Sequence, residues 1–155
     1  MQYPAMRRPT RALPDEQTLE ILSKATYGVL STTGVIGAYG APINYVYADG
    51  HIYGHCAEAG HKLDNIAHDN RVCFTVVEAD PQIVPEHLST RYRSAIAFGT
   101  AVILEGEAVR APLIKLCEAL TPGCIPDYLK DGAIDRRVRV IDITVAYVSG
   151  KFNPG

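Results

Sequence analysis

Apolar and polar positions along the chain follow two different periods, and the switches between them divide it into elements. Pro14, Asp15 and Glu16 precede Leu19, Ile21, Leu22 and Ala25. That order predicts a short helix with acids in its first turn and Lys24 in its last, as the helix dipole prefers. The character then changes. Residues 27–33, 39–48 and 51–56 are rich in β-branched and aromatic side chains, and Asp49-Gly50 between the last two is a strong type I′ hairpin signal. Three sequential antiparallel strands are expected there. Residues 60–69 carry Leu63, Ile66 and Ala67 at helical spacing, and residues 71–79 return to a strand pattern. Pro81 and Pro85 mark residues 80–90 as loop. Residues 92–105 make a long strand with Gly99 at its middle, where a bend or bulge is expected. Pro112 opens a helix with Leu113, Leu116, Cys117 and Leu120 on one face, ended by Thr121-Pro122-Gly123. Residues 138–149 form the last strand.

Six mostly antiparallel strands with three short helices, and no regular alternation of the two, point to a mainly β fold: a small closed or nearly closed barrel. Residues 13–155 form a single domain behind an N-terminal arm, residues 1–12. The barrel class has a functional consequence. About eight strands are needed before a barrel holds a small ligand inside, so a six-stranded one is filled by its own side chains. A sizeable cofactor must then lie on the outer wall, where a second subunit is the commonest shield.

Composition narrows the classes further. The 155 residues are 47 % hydrophobic, enough for a real core in one domain. A net charge of -2 argues against a duplex nucleic-acid binder, which needs a basic face. The one basic cluster, Arg7, Arg8 and Arg11, reads as a solvated tail or a strap docked on the body. Cys56, Cys73, Cys117 and Cys124 show no paired spacing and read as reduced thiols. No apolar run is long enough for a signal peptide or membrane helix, so the expected location is cytoplasmic.

The densest polar segment runs from Tyr53 to Lys62, from a strand end to a helix start. Unpaired N–H groups and the dipole at a helix start favour an anion, Lys62 adds a full positive charge, and Gly60 allows close approach. The place suits a phosphate monoester, although a helix with a cation near its start is also an ordinary structural feature. His51, His55, His61 and Cys56 could instead ligate a metal. Against this, positions four apart on a strand lie about 13 Å from each other, too far to share one ion. His51 then reads as a solvent-facing hairpin residue. Arg91-Tyr92-Arg93-Ser94 could bind a phosphate or stack on a planar ring, or be merely solvated at a strand entrance. The strand from Tyr27 to Thr32 offers backbone groups that could read a heterocycle edge. Dinucleotide, Walker and nucleophile-elbow motifs are absent from the sequence.

Six segments in order, Met6-Arg7-Arg8, Tyr27 to Thr32, Ala41 to Tyr47, Ile52 to Ala57, Gly60 to Ile66 and Tyr92 to Gly99, closely resemble the nitroimidazole-resistance flavoproteins of the pyridoxamine 5′-phosphate oxidase-like superfamily. The resemblance covers about residues 6–151. It implies a six-stranded antiparallel split β-barrel of the FMN-binding type, working as a homodimer with FMN in a groove between subunits. It further implies that Val29, Leu30, Ser31 and Thr32 line the isoalloxazine and that Gly54 and His55 sit beside the ring and ribityl chain. His61 and Lys62 would hold the phosphate, Asn44, Tyr92 and Ser94 complete the cofactor set, and His55 acts at the reaction site. Gly54 replaces the family's usual aromatic, and Cys56 stands where a small non-thiol residue is common. The extra substrate-phosphate residues of the vitamin-processing oxidases are not found, so oxidation of pyridoxamine phosphate is not expected. The activity implied is an FMN-dependent reductase passing electrons from a donor such as NAD(P)H to a nitro-aromatic, quinone or similar small acceptor. The alternatives are a protein that stores or senses FMN or haem, the latter through His55, and an interaction domain without cofactor.

Overall fold

Strand patterning and the Asp49-Gly50 turn produce one antiparallel sheet in the computed structural model, which describes residue 3, residues 5–78 and residues 80–155. Met1, Gln2 and Pro4 of the arm, and Ala79 at the expected end of the 71–79 strand, lie outside the described residues. The elements are β1 (Ala12–Leu13), α1 (Asp15–Lys24), β2 (Tyr27–Gly34), β3 (Gly37–Asn44), β4 (Val46–Ala48), β5 (His51–Ala57) and α2 (His61–His68). Then follow β6 (Arg71–Val77), β7 (Gln82–Val84), β8 (Ser89–Leu104), α3 (Arg110–Leu120), α4 (Asp127–Lys130) and β9 (Val138–Asn153). The strands pair in the order β3-β2-β6-β8-β9-β5-β4, with β1 added to β9 and β7 to β8. The two ends of that path, β3 and β4, are successive pieces of one extended stretch, so the sheet curls back on itself without a closing ladder. This is a split barrel of six long strands, as expected, with short additions.

The expected strand over residues 39–48 is broken at Tyr45. Its side chain is fully buried, its hydroxyl donates to the Leu22 carbonyl at 2.7 Å, and its ring meets Phe74 edge-on at 4.6 Å between centroids. The Tyr45 N–H turns to the Thr26 carbonyl. One inward aromatic thus divides the stretch into a half that pairs with β2 and a half that pairs with β5. At Gly99 the expected irregularity is present: the β8–β9 register shifts between Phe98 and Gly99. A Cβ on Gly99 would stand 2.1 Å from the Thr144 carbonyl oxygen, so only glycine lets the two strands approach there. Three elements were not expected. β7 forms inside the 80–90 loop by pairing with the start of β8, β1 forms in the arm, and α4 follows Pro126.

The barrel interior is filled by Leu30, Tyr45, Ile52, Phe74, Val76, Ala95, Ile141 and Ile143, with Ile21 and Leu22 of α1 and Leu63 and Ile66 of α2 packed on it. A second apolar cluster lies on the other face of the sheet, where Val140 of β9 is covered by Leu113 and Leu116 of α3 and Leu129 of α4. The arm is a strap. Tyr3 stacks on Tyr147 with centroids 4.7 Å apart, the Arg11 guanidinium donates to the Asn153 side-chain oxygen, and β1 pairs with the end of β9. Among the described residues, no helix is long and apolar enough to cross a membrane.

Candidate functional site

Unpaired backbone concentrates at the split. β3 pairs with β2 along its whole length and, among the described residues, with no strand on its other side, while β5 meets β4 only through His51, Ile52 and Tyr53. The β5 residues from Gly54 to Ala57 therefore share a free edge with β3, and main-chain groups on such edges need water or a ligand. The two edges come close at Gly54, whose Cβ position lies 2.8 Å from Ile43 Cδ1 and 3.4 Å from the Asn44 carbonyl oxygen. An aromatic side chain at position 54 would have to displace Ile43. Asn44 is exposed, with its side-chain amide donating to the Thr26 carbonyl at 3.1 Å.

The chain leaves β5 and enters α2 within three residues, through Gly60 at φ 144°, a conformation that side chains resist. No side chain caps α2, and the N–H groups of Leu63 and Asp64 both return to the Gly60 carbonyl. His61, at the first helical position, lies edge-on to Tyr39 of β3 with centroids 4.7 Å apart, so the helix start reaches across to the opposite lip of the split. The Nε2 atom of His61 is buried and has no hydrogen-bond partner. Such orphans are rare enough in folded proteins to need a reason. Lys62 is half-buried and makes no ion pair among the described residues. One turn later, buried Asn65 donates to Thr32 Oγ1 at 3.0 Å and so fixes α2 against β2. Cys56 points back toward the main cluster. Burial pushes its thiol above the ordinary range, opposed by the charges of Lys62 and Arg139.

The remaining expected residues are spread over the surface. Alternation along β2 turns Val29 and Ser31 outward and buries Leu30 and Thr32, so the last two can offer a ligand on the outer wall only main-chain atoms. Ser31, Thr32 and Cys73 line a groove of about 490 Å³ that also meets Tyr3, Arg71 and Phe98. Tyr92 lines a different hollow, of about 640 Å³, with Arg91 and Arg93. Neither arginine is idle: Arg91 Nε donates to the Pro154 carbonyl at 3.0 Å, and Arg93 pairs with Glu78 at 3.1 Å. Ser94 lies in register between Val77 of β6 and Lys151 of β9. His55 is exposed on the outer face of β5 and borders a smaller hollow, of about 220 Å³, under α3 and α4.

The protomer thus gathers Asn44, Gly54, His61 and Lys62 around the split, turns the His55 side chain from the split edge toward the hollow under α3 and α4, and leaves Tyr92 and Ser94 elsewhere on its surface. One expectation is corrected. His51 is not a solvent-facing hairpin residue: it is half-buried, its Nδ1 is 2.7 Å from Asp142 Oδ1, and its ring stacks on Tyr53. Asp142 lies 91 residues away, and the strand pairing that joins β5 to β9 carries no local signal. Tyr39 and Asn65 were also missed. Their roles depend on α2 folding over the lips of the split, although the four-residue spacing from His61 to Asn65 places both on one helix face.

A family profile described as pyridoxamine 5′-phosphate oxidase matches residues 14–152. No curated protein matches the chain. Among solved structures the chain is similar to a candidate 5-nitroimidazole antibiotic resistance protein from Bacteroides thetaiotaomicron, at 22 % identity over 90 % of this chain and 85 % of that one, with a TM-score of 0.74. A flavocytochrome from Azotobacter vinelandii is 20 % identical over 97 % of this chain and 73 % of its own, with a TM-score of 0.77. An FAD- and haem-binding protein from Mycobacterium smegmatis is 19 % identical over 92 % and 72 %, with a TM-score of 0.74. At these identities the three likenesses establish the fold.

Proposed function

The chain belongs to the pyridoxamine 5′-phosphate oxidase family, and from that premise we propose that it is an FMN-dependent reductase of small acceptors, active as a homodimer whose two copies enclose the cofactor. The observation that carries the reading is the orphaned Nε2 of His61 at the uncapped start of α2. The chemistry of that start suits a phosphate monoester. The monoester would accept from His61, from the free amides of the helix start and from Lys62, whose charge no carboxylate among the described residues neutralises. The free edges of β3 and β5 beside it supply backbone donors and acceptors for a heterocycle edge. Similar structures are described as a flavocytochrome, as FAD-binding, and as FAD- and haem-binding, which supports a flavin; the choice of FMN rests on reading the helix start as a monoester site.

Bound there, FMN would supply two-electron chemistry between a donor such as NAD(P)H and a nitro-aromatic, quinone or similar acceptor. The chain's own residues do the rest. Lys62 and His61 anchor the phosphate end, Asn65 and Thr32 hold α2 on β2 so that the anchor does not drift, and His55 is placed to exchange a proton at an imidazole nitrogen open to solvent. Val29, Ser31, Tyr92 and Ser94 lie on outward positions, and a second copy packed on that wall would bring separated residues to one cofactor.

The test is a visible absorption spectrum of the purified protein with the released cofactor identified by mass, followed by sedimentation and by NAD(P)H oxidation with added acceptors. A yellow dimer releasing FMN and reducing an acceptor is expected; a colourless monomer that ignores added FMN would overturn the reading. A second reading, storage or sensing of FMN or haem, draws on the exposure of His55 beside an apolar hollow. A Soret band lost in His55→Ala would favour haem, and tight FMN with no Soret band would remove it.

A further inference from the structure

The hollow under α3 and α4 differs in chemistry from three larger hollows on the protomer. Its walls are Leu113, Leu116 and Leu120 of α3, Tyr128 and Leu129 of α4, and His55 at the β5 side. None of its lining residues is an acid, a lysine or an arginine. The hollow at Tyr92 is lined by Glu78, Asp80, Arg91 and Arg93, the groove at Ser31 by Arg71, and a hollow of about 280 Å³ beside Tyr147 by Asp15. Leu116 and Leu129 are almost wholly buried and form a floor continuous with the second apolar cluster, whereas Tyr128 and Leu120 form an open rim.

The walls are also braced. A four-residue helix such as α4 has no independent stability. Arg110 of α3 holds it, donating to the carbonyls of Tyr128 at 3.0 Å, Leu129 at 2.9 Å and Gly132 at 2.8 Å. The hollow therefore exists before any ligand arrives, which lowers the ordering cost of binding.

We infer that this hollow binds a small, uncharged, single-ring aromatic molecule, with His55 hydrogen-bonding one polar substituent of the ring. Size sets the upper bound: aliphatic cavities of about 150 Å³ take a benzene, and the volume here is about 220 Å³. Charge sets the class. An anionic or cationic ring would give up hydration against leucine walls with no counter-charge to replace it. Because His55 is the proposed proton-exchanging residue, the molecule bound would be the electron acceptor; that role rests on the reductase reading, while occupancy of the hollow does not.

Cys117 supplies a built-in reporter, since it lines the hollow half-buried, while Cys124 is exposed and outside the lining. Iodoacetamide labelling of both thiols, followed by mass spectrometry, should be run with para-nitrobenzyl alcohol and with para-nitrobenzoate, on flavin-free and flavin-loaded protein. By mass action, the neutral probe at about ten times its Kd should slow Cys117 labelling about tenfold and leave Cys124 unchanged. The charged probe should protect neither thiol. Equal protection by the two probes, protection of both thiols, or none would overturn the inference. Leu120→Trp, which fills the rim, should abolish protection while retaining the FMN affinity of the parent, and protection surviving in that variant would also overturn it. Selective protection in protein that takes up no FMN would keep the hollow as a ring site and remove the reductase reading.

Discussion

The interior of the barrel and its split are made from the same strands, yet they are opposite in how completely they satisfy themselves. Inside, Leu30, Tyr45 and Phe74 are each 0 % exposed, and the one polar atom among them, the Tyr45 hydroxyl, has its acceptor at Leu22. At the split, among the described residues, two strand edges lack partners, α2 lacks a side-chain cap, His61 Nε2 is buried without a bond and Lys62 lacks a counter-ion. The first region satisfies its own polar groups, and the second leaves groups unmet within the protomer. Stability and ligand binding should therefore be separable by mutation, each sensitive to its own region.

The largest effect should come from the interior. Phe74→Ala removes a ring that touches Tyr45 and leaves a void the surrounding strands cannot close, so urea denaturation should show a loss of about 3–5 kcal/mol. The folded fraction should keep its FMN affinity. Affinity falling in step with stability would mean that the two regions are one cooperative unit. At the split the sign pattern reverses. Lys62→Ala should cost about 1.5–3 kcal/mol of FMN binding, read by fluorescence titration, and change the stability of flavin-free protein by no more than about 0.5 kcal/mol. Unchanged affinity would place the phosphate elsewhere.

The same contrast governs what could be read from the sequence. Interior positions obey the period of their element, so the six long strands, α1 to α3 and the irregularity at Gly99 were legible. What broke the pattern was tertiary. Tyr45 fits a strand by propensity, and only Phe74 and the Leu22 carbonyl, each more than twenty residues away, turn it inward. β7 sits between Pro81 and Pro85, the signature of a loop, and exists because the start of β8 offers it a partner. At the split the helix start and Lys62 were readable, because dipole and charge are local properties. The Tyr39–His61 contact, the Asn65–Thr32 bond and the His51–Asp142 pair join residues that only the closed sheet brings together.

A smaller effect sharpens the account of the interior. Tyr45→Phe deletes the bond to the Leu22 carbonyl and should cost about 1 kcal/mol at neutral pH. It should also change the alkaline limb. Burial raises the Tyr45 phenol above its ordinary value of 10.0, whereas in the unfolded chain it ionises near that value. The stability attached to the neutral phenol is thus fully present below about pH 10 and is lost as the pH climbs from there toward the raised folded value. Denaturation midpoints measured up to alkaline pH should fall more steeply in the parent than in Tyr45→Phe. Parallel curves would mean that Tyr45 is accessible to hydroxide.

The smallest effect lies where the two regions touch. Cys56, next to last in β5, turns its thiol toward the core, and burial, the larger influence, lifts its pKa, while Lys62 on the split side pulls it down. Removing the Lys62 charge should let burial act with less opposition, so the thiol of flavin-free Lys62→Ala should titrate higher than in the parent. A dianion bound against Lys62 should move it the same way by neutralising the charge. Alkylation of Cys56 followed by mass spectrometry from neutral to alkaline pH reads this directly, because only the thiolate reacts. The midpoint should rise in the variant and in FMN-loaded parent, and adding FMN to the variant should shift it less than in the parent. A midpoint indifferent to Lys62 would mean that the helix start and the barrel interior do not sense each other electrostatically, and that the lysine points away from the split it is proposed to serve.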